Sequence, residues 1–217
     1  MMKRLVIVVF ISYLCTVLFL PLKVNAETER SLMDMDMNDM NMKGVKDDQF
    51  GTNEKYKRTI EKYAVPDVTL VDQNGKKVKL REILNSKKIV IVDFIFTTCT
   101  TICPVLSAGY VNFQRKVDTN TGDVTLVSIS IDPENDIPKK MSEYLKQYDA
   151  RPGWDFLTGS REDIDKVLMA FKAFIPNKMS HIQLVLLHTP ADDKWVRIYG
   201  LIGTSDFLTE YEKLHGK

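Results

Sequence analysis

The sequence predicts an α/β fold in which helices flank a central mixed β-sheet, with a β-hairpin added on the N-terminal side. Two observations lead to this prediction. Residues 89–96 form a continuous, mostly β-branched apolar run, which is typical of a strand buried on both faces. Further along the chain, segments with helical spacing alternate with shorter apolar runs, as they do in sheets whose parallel strands are joined by helices.

The remaining elements follow in order. The hairpin joins strands at 68–72 and 78–80 through Asn74 and Gly75, a pair that favours a tight turn. We also predict a helical turn at 81–84, helices ending near 117, 148 and 174, strands at 124–131, 154–157, 182–188 and 195–200, and a last helix at 205–214. Ser160, with Asp163 three residues later, predicts a capping box before the helix that ends near 174. This order of elements is that of a thioredoxin-like sandwich.

The length of 217 residues suits one domain with extensions. Residues 1–26 read as a signal peptide or an N-terminal membrane anchor, because Lys3 and Arg4 precede a long apolar run and Ala26 ends a small-residue cleavage site. The sequence therefore predicts an exported protein, in the periplasm or at the outer face of the cytoplasmic membrane. The folded domain is expected at 65–217.

Residues 27–64 are predicted to be a disordered linker, because their polar and charged composition cannot bury a core. Its distinctive part, here called the methionine arm, contains Met33, Met35, Met37, Met40 and Met42 among acidic and amide residues. These methionines could be incidental to a solvated linker. Thioethers are also soft ligands for Cu(I), and we favour an arm that collects copper.

Charge and cysteine content narrow the classes of function. Thirty basic and 29 acidic side chains give a net charge of +1, with no basic cluster interleaved with aromatic residues, so no nucleic-acid partner is expected. Cys15 lies in the N-terminal apolar run, which leaves Cys99 and Cys103 as the pair of the folded domain. One pair suits a working site better than a disulfide-stapled scaffold.

Cys99 and Cys103 follow the buried strand, with three residues between them, at the expected start of a helix. Helical spacing would place both sulfurs on one face, where they could form a disulfide or bind a soft metal ion. The helix N-terminus would stabilise the thiolate of Cys99. A purely structural disulfide is disfavoured because so short a loop constrains the unfolded chain little.

Two other ionisable residues are candidates for this site. His181 introduces the predicted strand at 182–188, where a histidine is either a metal ligand or an ordinary strand-end residue. Asp93 precedes Cys99 by six positions in the buried strand, which resembles the buried aspartate of thioredoxins. Such a carboxylate could accept a proton during disulfide exchange.

Three segments together resemble the Sco/SenC family. They are FTTCTTICP at 96–104, SIDPENDIP at 130–138, and His181 before an apolar strand and the hairpin strand WVRIYG. The resemblance implies a thioredoxin-fold, membrane-facing copper protein whose copper site is made by Cys99, Cys103 and His181. It also implies delivery of copper to cytochrome c oxidase, so that the expected partner is the copper-bearing subunit of that enzyme or another copper protein.

The sequence departs from the family pattern at two places. Thr100 stands where members usually have proline after the first cysteine, and Ser180 stands where many have an acidic residue before the histidine. A missing carboxylate could loosen the orientation of the imidazole. Asp132 and Asp136 match the acidic segment of the family, and we interpret them as a loop residue and a helix-cap residue.

We therefore expect a copper chaperone with no turnover of its own, in which two thiolates favour Cu(I) and the imidazole also accepts Cu(II). A separate thiol reductase could keep the pair reduced. The alternative is an extracytoplasmic thiol-disulfide reductase in which Cys99 attacks, Cys103 resolves and Asp93 accepts the proton, with no need for His181. A peroxidase attacking peroxide with Cys99 ranks last, because the proline several residues before that cysteine is missing.

Overall fold

The computed structural model describes residues 56–119, 122–189 and 193–216. The predicted signal or anchor at 1–26 and the methionine arm lie outside these residues. Within the part of the chain that is described, no helix is both long enough and apolar enough to cross a membrane.

The elements alternate between strands and helices, as the sequence predicts. They are β1 (Lys57–Lys62), β2 (Thr69–Asp72), β3 (Lys77–Lys79), α1 (Leu80–Leu84), β4 (Ile89–Ile95), α2 (Cys103–Lys116), β5 (Val124–Ser130), α3 (Pro138–Gln147), β6 (Trp154–Thr158), α4 (Arg161–Ala170), a 3₁₀ turn (Lys178–Ser180), β7 (Leu184–His188), β8 (Lys194–Tyr199) and α5 (Thr204–His215). The described strands form one sheet in the order β1-β8-β7-β4-β5-β6-β2-β3. Because β4, β5 and β6 are parallel and the other pairs antiparallel, the predicted mixed sheet is confirmed.

The two central strands determine where the site can form. Every residue of β4 and β5 is buried, which explains their continuous apolar sequences. Their register pairs Ile95 with Ser130, so the two strands end side by side. The loop carrying Cys99 and the segment that begins at Asp132 therefore leave the sheet side by side, at the carboxyl ends of these two parallel strands.

Helices cover both faces of the sheet. On one face, Tyr110 of α2 stacks on Phe207 of α5 with ring centroids 5.9 Å apart. On the other face, Phe171 after α4 contacts Phe94 at 6.1 Å. Because neighbouring residues of a strand point to opposite faces, Asp93 points to the face that α2 covers.

The structure differs from the sequence prediction at several boundaries. Strand β1 lies within the range predicted to be a linker, and it pairs with β8 at the edge of the sheet. It is held there because Arg58 Nε donates to the buried Glu210 carboxylate at 2.7 Å. Helix α4 ends at Ala170 rather than near 174, and two residues after its end Lys172 adopts a positive φ of 53°, which is not helical. Strand β7 begins at Leu184 rather than at 182.

Several local predictions are confirmed. Ser160 is the N-cap residue of α4, and its hydroxyl accepts a hydrogen bond from the Asp163 N–H at 3.1 Å. Pro138 opens α3 as predicted. The β2–β3 hairpin turns at Gly75, whose φ of +80° favours glycine there.

Candidate metal centre

Cys99 and Cys103 lie between the end of β4 and the start of α2, as the sequence predicts. Helix α2 begins only at Cys103, so residues 99–102 form a bent, non-helical loop rather than the helical turn that the spacing suggests. The loop still turns the chain so that the pair comes together, because the Cys103 N–H donates to the Cys99 sulfur at 3.4 Å. Both thiols are free and buried, with 7% of Cys99 and none of Cys103 exposed.

The two thiols have different affinities for protons. Burial raises the pKa of Cys99, but hydrogen bonds from the Cys103 thiol, from the Cys103 N–H and from Thr101 outweigh it and lower the pKa to about 7. For Cys103, burial and its hydrogen bond to Cys99 raise the pKa well above its usual range. At neutral pH, Cys99 is therefore thiolate in about half of the molecules, and Cys103 is the protonated partner that supports it.

Asp93 lies in the core on the Cys103 side of the pair. Its side chain is fully buried, and neither carboxyl oxygen has a hydrogen-bond partner of ordinary geometry among the described residues. Burial raises its pKa to about 7, while the nearby Ser128 hydroxyl and its own backbone lower it by less. The negative charge of Asp93 also contributes to the raised pKa of Cys103. Asp93 is thus placed where it could exchange a proton with the pair.

His181 ends the 3₁₀ turn that precedes β7. Its half-buried ring contacts the Phe96 ring edge-on, with centroids 6.1 Å apart. Burial lowers its pKa, partly offset by a hydrogen bond with the Phe94 backbone, so the imidazole is neutral at pH 7. Its Nε2 atom is buried without a hydrogen-bond partner in the described residues. A neutral imidazole with an unpaired nitrogen has the electron pair that a metal ion needs.

Phe96 connects the two parts of the predicted site. Its carbonyl accepts a hydrogen bond from the Cys99 N–H at 3.2 Å, and its ring contacts His181. Within the described residues, no three or more His, Cys, Asp or Glu side chains lie close enough together to form a metal-binding group. The structure therefore brings Cys99 and Cys103 together, and Phe96 links His181 to them through its ring and its carbonyl.

The acidic segment supports both parts of the site. Asp136 is fully buried and accepts hydrogen bonds from Thr97 N at 3.1 Å, from Thr97 Oγ1 at 2.5 Å and from Ser130 Oγ at 2.6 Å. The interpretation of Asp136 as a helix cap is wrong, because Ile137 is the N-cap of α3 and no side chain caps it. Asp136 instead fixes the start of the loop that carries Cys99. Its hydrogen-bond donors, Thr97 and Ser130, do not belong to a helix-capping motif, so the sequence pattern does not reveal them.

Asp132 is a loop residue, as interpreted from the sequence. Its carboxylate accepts hydrogen bonds from Asn135 Nδ2 at 3.1 and 3.0 Å and pairs with Lys178 at 2.5 Å. Lys178 is not predicted from the sequence as a site residue, although its position three residues before a candidate ligand is a signal. His188, by contrast, is a core residue, with Nδ1 at 3.1 Å from the Lys194 carbonyl and its ring stacked on Trp195.

A mixed sheet flanked by helices, with a cysteine pair where the central strand meets a helix, places this chain in the class of thioredoxin-like proteins. The model of the family described as SCO1/SenC matches residues 57–210. The chain belongs to this family, and the resemblance seen in the sequence is confirmed.

Individual relatives and structures agree with this assignment. The SCO1 protein homolog of Bacillus subtilis is 36% identical over 126 residues, which are 57% of this chain and 64% of that protein. The SCO2-like protein RP587 of Rickettsia prowazekii is 35% identical over 109 residues, 48% of this chain and 49% of the relative. The chain thus spans about half to just under two thirds of the length of these curated relatives.

Solved structures match over more of their length. BsSco, a member of the Sco family of cytochrome c oxidase assembly proteins in which a disulfide switch was identified, matches with a TM-score of 0.59 and 32% identity over 70% of this chain and 94% of that one. Bradyrhizobium japonicum ScoI with copper bound matches with a TM-score of 0.58 and 27% identity over 70% and 99% of the two chains.

Proposed function

We propose that this chain is a copper metallochaperone that binds copper through Cys99, Cys103 and His181 and passes it to a copper protein. The observation that carries the proposal is the arrangement around Phe96. Its carbonyl accepts a hydrogen bond from Cys99 of the reduced thiol pair, and its ring contacts the imidazole of His181, whose Nε2 has no partner among the described residues. Two thiolates and one imidazole suit Cu(I) and also accept Cu(II), and a family member has been solved with copper bound.

Binding would begin at Cys99, because its thiolate is already present at neutral pH. Cys103 must release a proton to become the second ligand, and its raised pKa makes this step depend on the metal. His181 would then complete the site through a shift of its turn, since the three side chains do not yet form one group among the described residues. A disulfide between the cysteines would block binding, so a thiol reductase is a required partner in an oxidising compartment.

The recipient is proposed to be the copper-bearing subunit of cytochrome c oxidase, which would take the ion by ligand exchange. This proposal rests on the description of BsSco as a member of a family of oxidase assembly proteins. We also propose export to the periplasm or to the outer face of the cytoplasmic membrane, from the charged and apolar pattern of residues 1–26. Recovery of the protein from the cytoplasm with its whole N-terminal segment would contradict export.

The methionine arm is proposed to collect copper before it reaches the cysteines. Its five thioethers are soft, so they bind Cu(I), and because they are uncharged they release it readily to the stronger thiolate ligands. Replacing all five methionines with leucine is expected to slow the loading of Cys99 and Cys103 while leaving the final affinity unchanged. Stopped-flow loading with a Cu(I) chelate checks this, and equal loading rates would remove the arm from the proposal.

The alternative function, a thiol-disulfide reductase, is favoured by one observation: the unpaired Asp93 carboxyl beside Cys103. The Cys99 thiolate would attack a substrate disulfide, form a mixed disulfide and release the first substrate thiolate. Cys103, after passing its proton to Asp93, would attack Cys99 and release the second. The pair would end as a disulfide, and His181 would have no part in the reaction.

The two functions are separated by His181→Ala. We expect this variant to lose copper affinity by more than about 100-fold, since removal of a ligand costs more than the 10–100-fold seen for outer partners. We also expect the unchanged protein to show no reduction of a disulfide substrate. Competition titration with a Cu(I) chelator and a disulfide reduction assay measure the two quantities. His215→Ala is the matched control, because that histidine lies exposed near the end of α5.

The opposite result would favour the reductase. If His181→Ala binds copper as tightly as the unchanged protein, while both reduce the disulfide substrate equally well, then His181 is no ligand and the thiol pair works in exchange.

A further inference from the structure

The turn that carries His181 is tied to the acidic segment by an ion pair. Lys178 Nζ lies 2.5 Å from Asp132 Oδ2, and only 5% of the Asp132 side chain is exposed. Asn135 donates two hydrogen bonds to the same carboxylate, and the Asp132 N–H donates to Ser130 Oγ at 3.0 Å. Asp132, the partner of Lys178, is therefore itself fixed at the end of β5 and is not a mobile surface side chain.

Lys178 and His181 also meet the same aromatic ring. The Lys178 ammonium lies 5.3 Å from the centroid of the Phe96 ring, which His181 contacts from its edge. Within the turn, the His181 N–H donates to the Lys178 carbonyl at 3.2 Å. Lys178 is thus coupled to His181 in two ways. A backbone hydrogen bond joins the two residues within the turn, and both side chains contact the Phe96 ring.

The residue next to His181 offers no charged support. Ser180 stands where an acidic side chain would orient the imidazole, and a hydroxyl carries no charge to replace it. The turn has instead a side-chain cap, because Asn177 accepts the Met179 N–H at 3.0 Å. The ion pair of Lys178 adds a charged connection between this turn and the strand ends where Cys99 lies, beside the Phe96 ring contact and the hydrogen bond with the Phe94 backbone.

We propose that Lys178 is a positioning residue for the metal centre, which holds the His181 turn within reach of the Cys99–Cys103 pair by its ion pair with Asp132. The inference rests on the proposed function, in which His181 is a copper ligand. Without the ion pair, the turn would sample more conformations. Copper binding would then have to order His181, and the conformational entropy lost in doing so would lower the affinity. The cysteines are held by β4, α2 and Asp136, so they would not be affected.

The test compares Lys178→Met with Lys172→Met in the full chain. Methionine keeps much of the apolar stem and removes the charge. Lys172 is a close match, since it pairs with Glu61 at 2.8 Å and lies 5.9 Å from the Tyr63 ring, away from the His181 turn. We expect Lys178→Met to lower copper affinity by about 10–100-fold, the range for partners that orient a ligand. The nitrogen hyperfine signal of the Cu(II) form should weaken in the same variant.

Three further readouts make the result specific. The reduction potential of the Cys99–Cys103 disulfide should be unchanged in Lys178→Met, because the variant leaves the cysteine loop intact. Lys178→Arg should restore affinity and the nitrogen signal. Thermal unfolding identifies loss of fold, in which case Lys178→Gln replaces methionine in the comparison.

Two outcomes would overturn the inference: unchanged affinity and nitrogen signal in Lys178→Met, or an equal loss in Lys172→Met. Failure of the proposed function gives a different result, namely normal copper binding by His181→Ala.

Discussion

Replacing both Cys99 and Cys103 with serine is expected to abolish copper binding at the domain, with a loss of affinity well beyond about 100-fold. Serine hydroxyls do not ionise near neutral pH and are hard donors, so the soft ligands of the site disappear. Both sulfurs are buried beside the N-terminus of α2, and the described residues contain no group of three or more His, Cys, Asp or Glu side chains that could bind the ion instead. Competition titration with a Cu(I) chelator measures the loss.

Cys15→Ser is the control for this experiment, because it removes the remaining cysteine of the chain, which lies outside the described residues. It should bind copper like the unchanged protein. A Cys99→Ala, Cys103→Ala variant guards against a fold disturbed by buried hydroxyl groups. Retention of full affinity in the serine and alanine variants would place the copper site elsewhere in the chain.

Asp93→Asn is expected to stabilise the protein at pH 8 and to have little effect at pH 4. The folded pKa of Asp93 is about 7, against 3.8 for the free side chain. Between these values the folded state keeps a proton that the unfolded chain releases, so stability falls as the pH rises. The full cost is about 4 kcal/mol, since each pKa unit is worth about 1.4 kcal/mol. Asparagine carries no charge and removes this dependence.

Urea unfolding at the two pH values measures the effect, and Asp67→Asn serves as an exposed control. The stability difference between Asp93→Asn and the unchanged protein should grow from pH 4 to pH 8. A difference that is the same at both pH values would mean that Asp93 is ionised in the folded state without penalty. The natural protein would then be keeping a buried carboxylate at no cost in stability.

Local sequence patterns predicted most of the fold. The runs that become β4 and β5 are apolar throughout because both faces are covered, and the Ser160 cap depends on residues three positions apart. Strand β1 was missed because its alternation is weak and charged, with Ile60 half exposed. Its position depends on β8 and on Glu210, which lies 152 residues from Arg58.

The same difference between local patterns and distant contacts explains which features of the site could be predicted. The closeness of Cys99 and Cys103 follows from their spacing, and a turn achieves it even though α2 starts late. The position of His181 depends instead on contacts with Phe96 and on Lys178, which join segments far apart in the chain. Spacing along the sequence carries no information about such distances, and the support from Asp136 was missed for the same reason.

The pairing of β4 with β7, in which Asp93 lies opposite Val185, has a consequence for the timing of folding. These strands are separated by about 90 residues, and pairings between distant segments form late and slowly. Cys99 and Cys103, by contrast, are close in sequence and meet through a local turn. A newly made chain would therefore expose its thiols to oxidation before His181 arrives. Under the proposed function, the reducing partner would therefore already be needed while the protein folds, ahead of any encounter with copper.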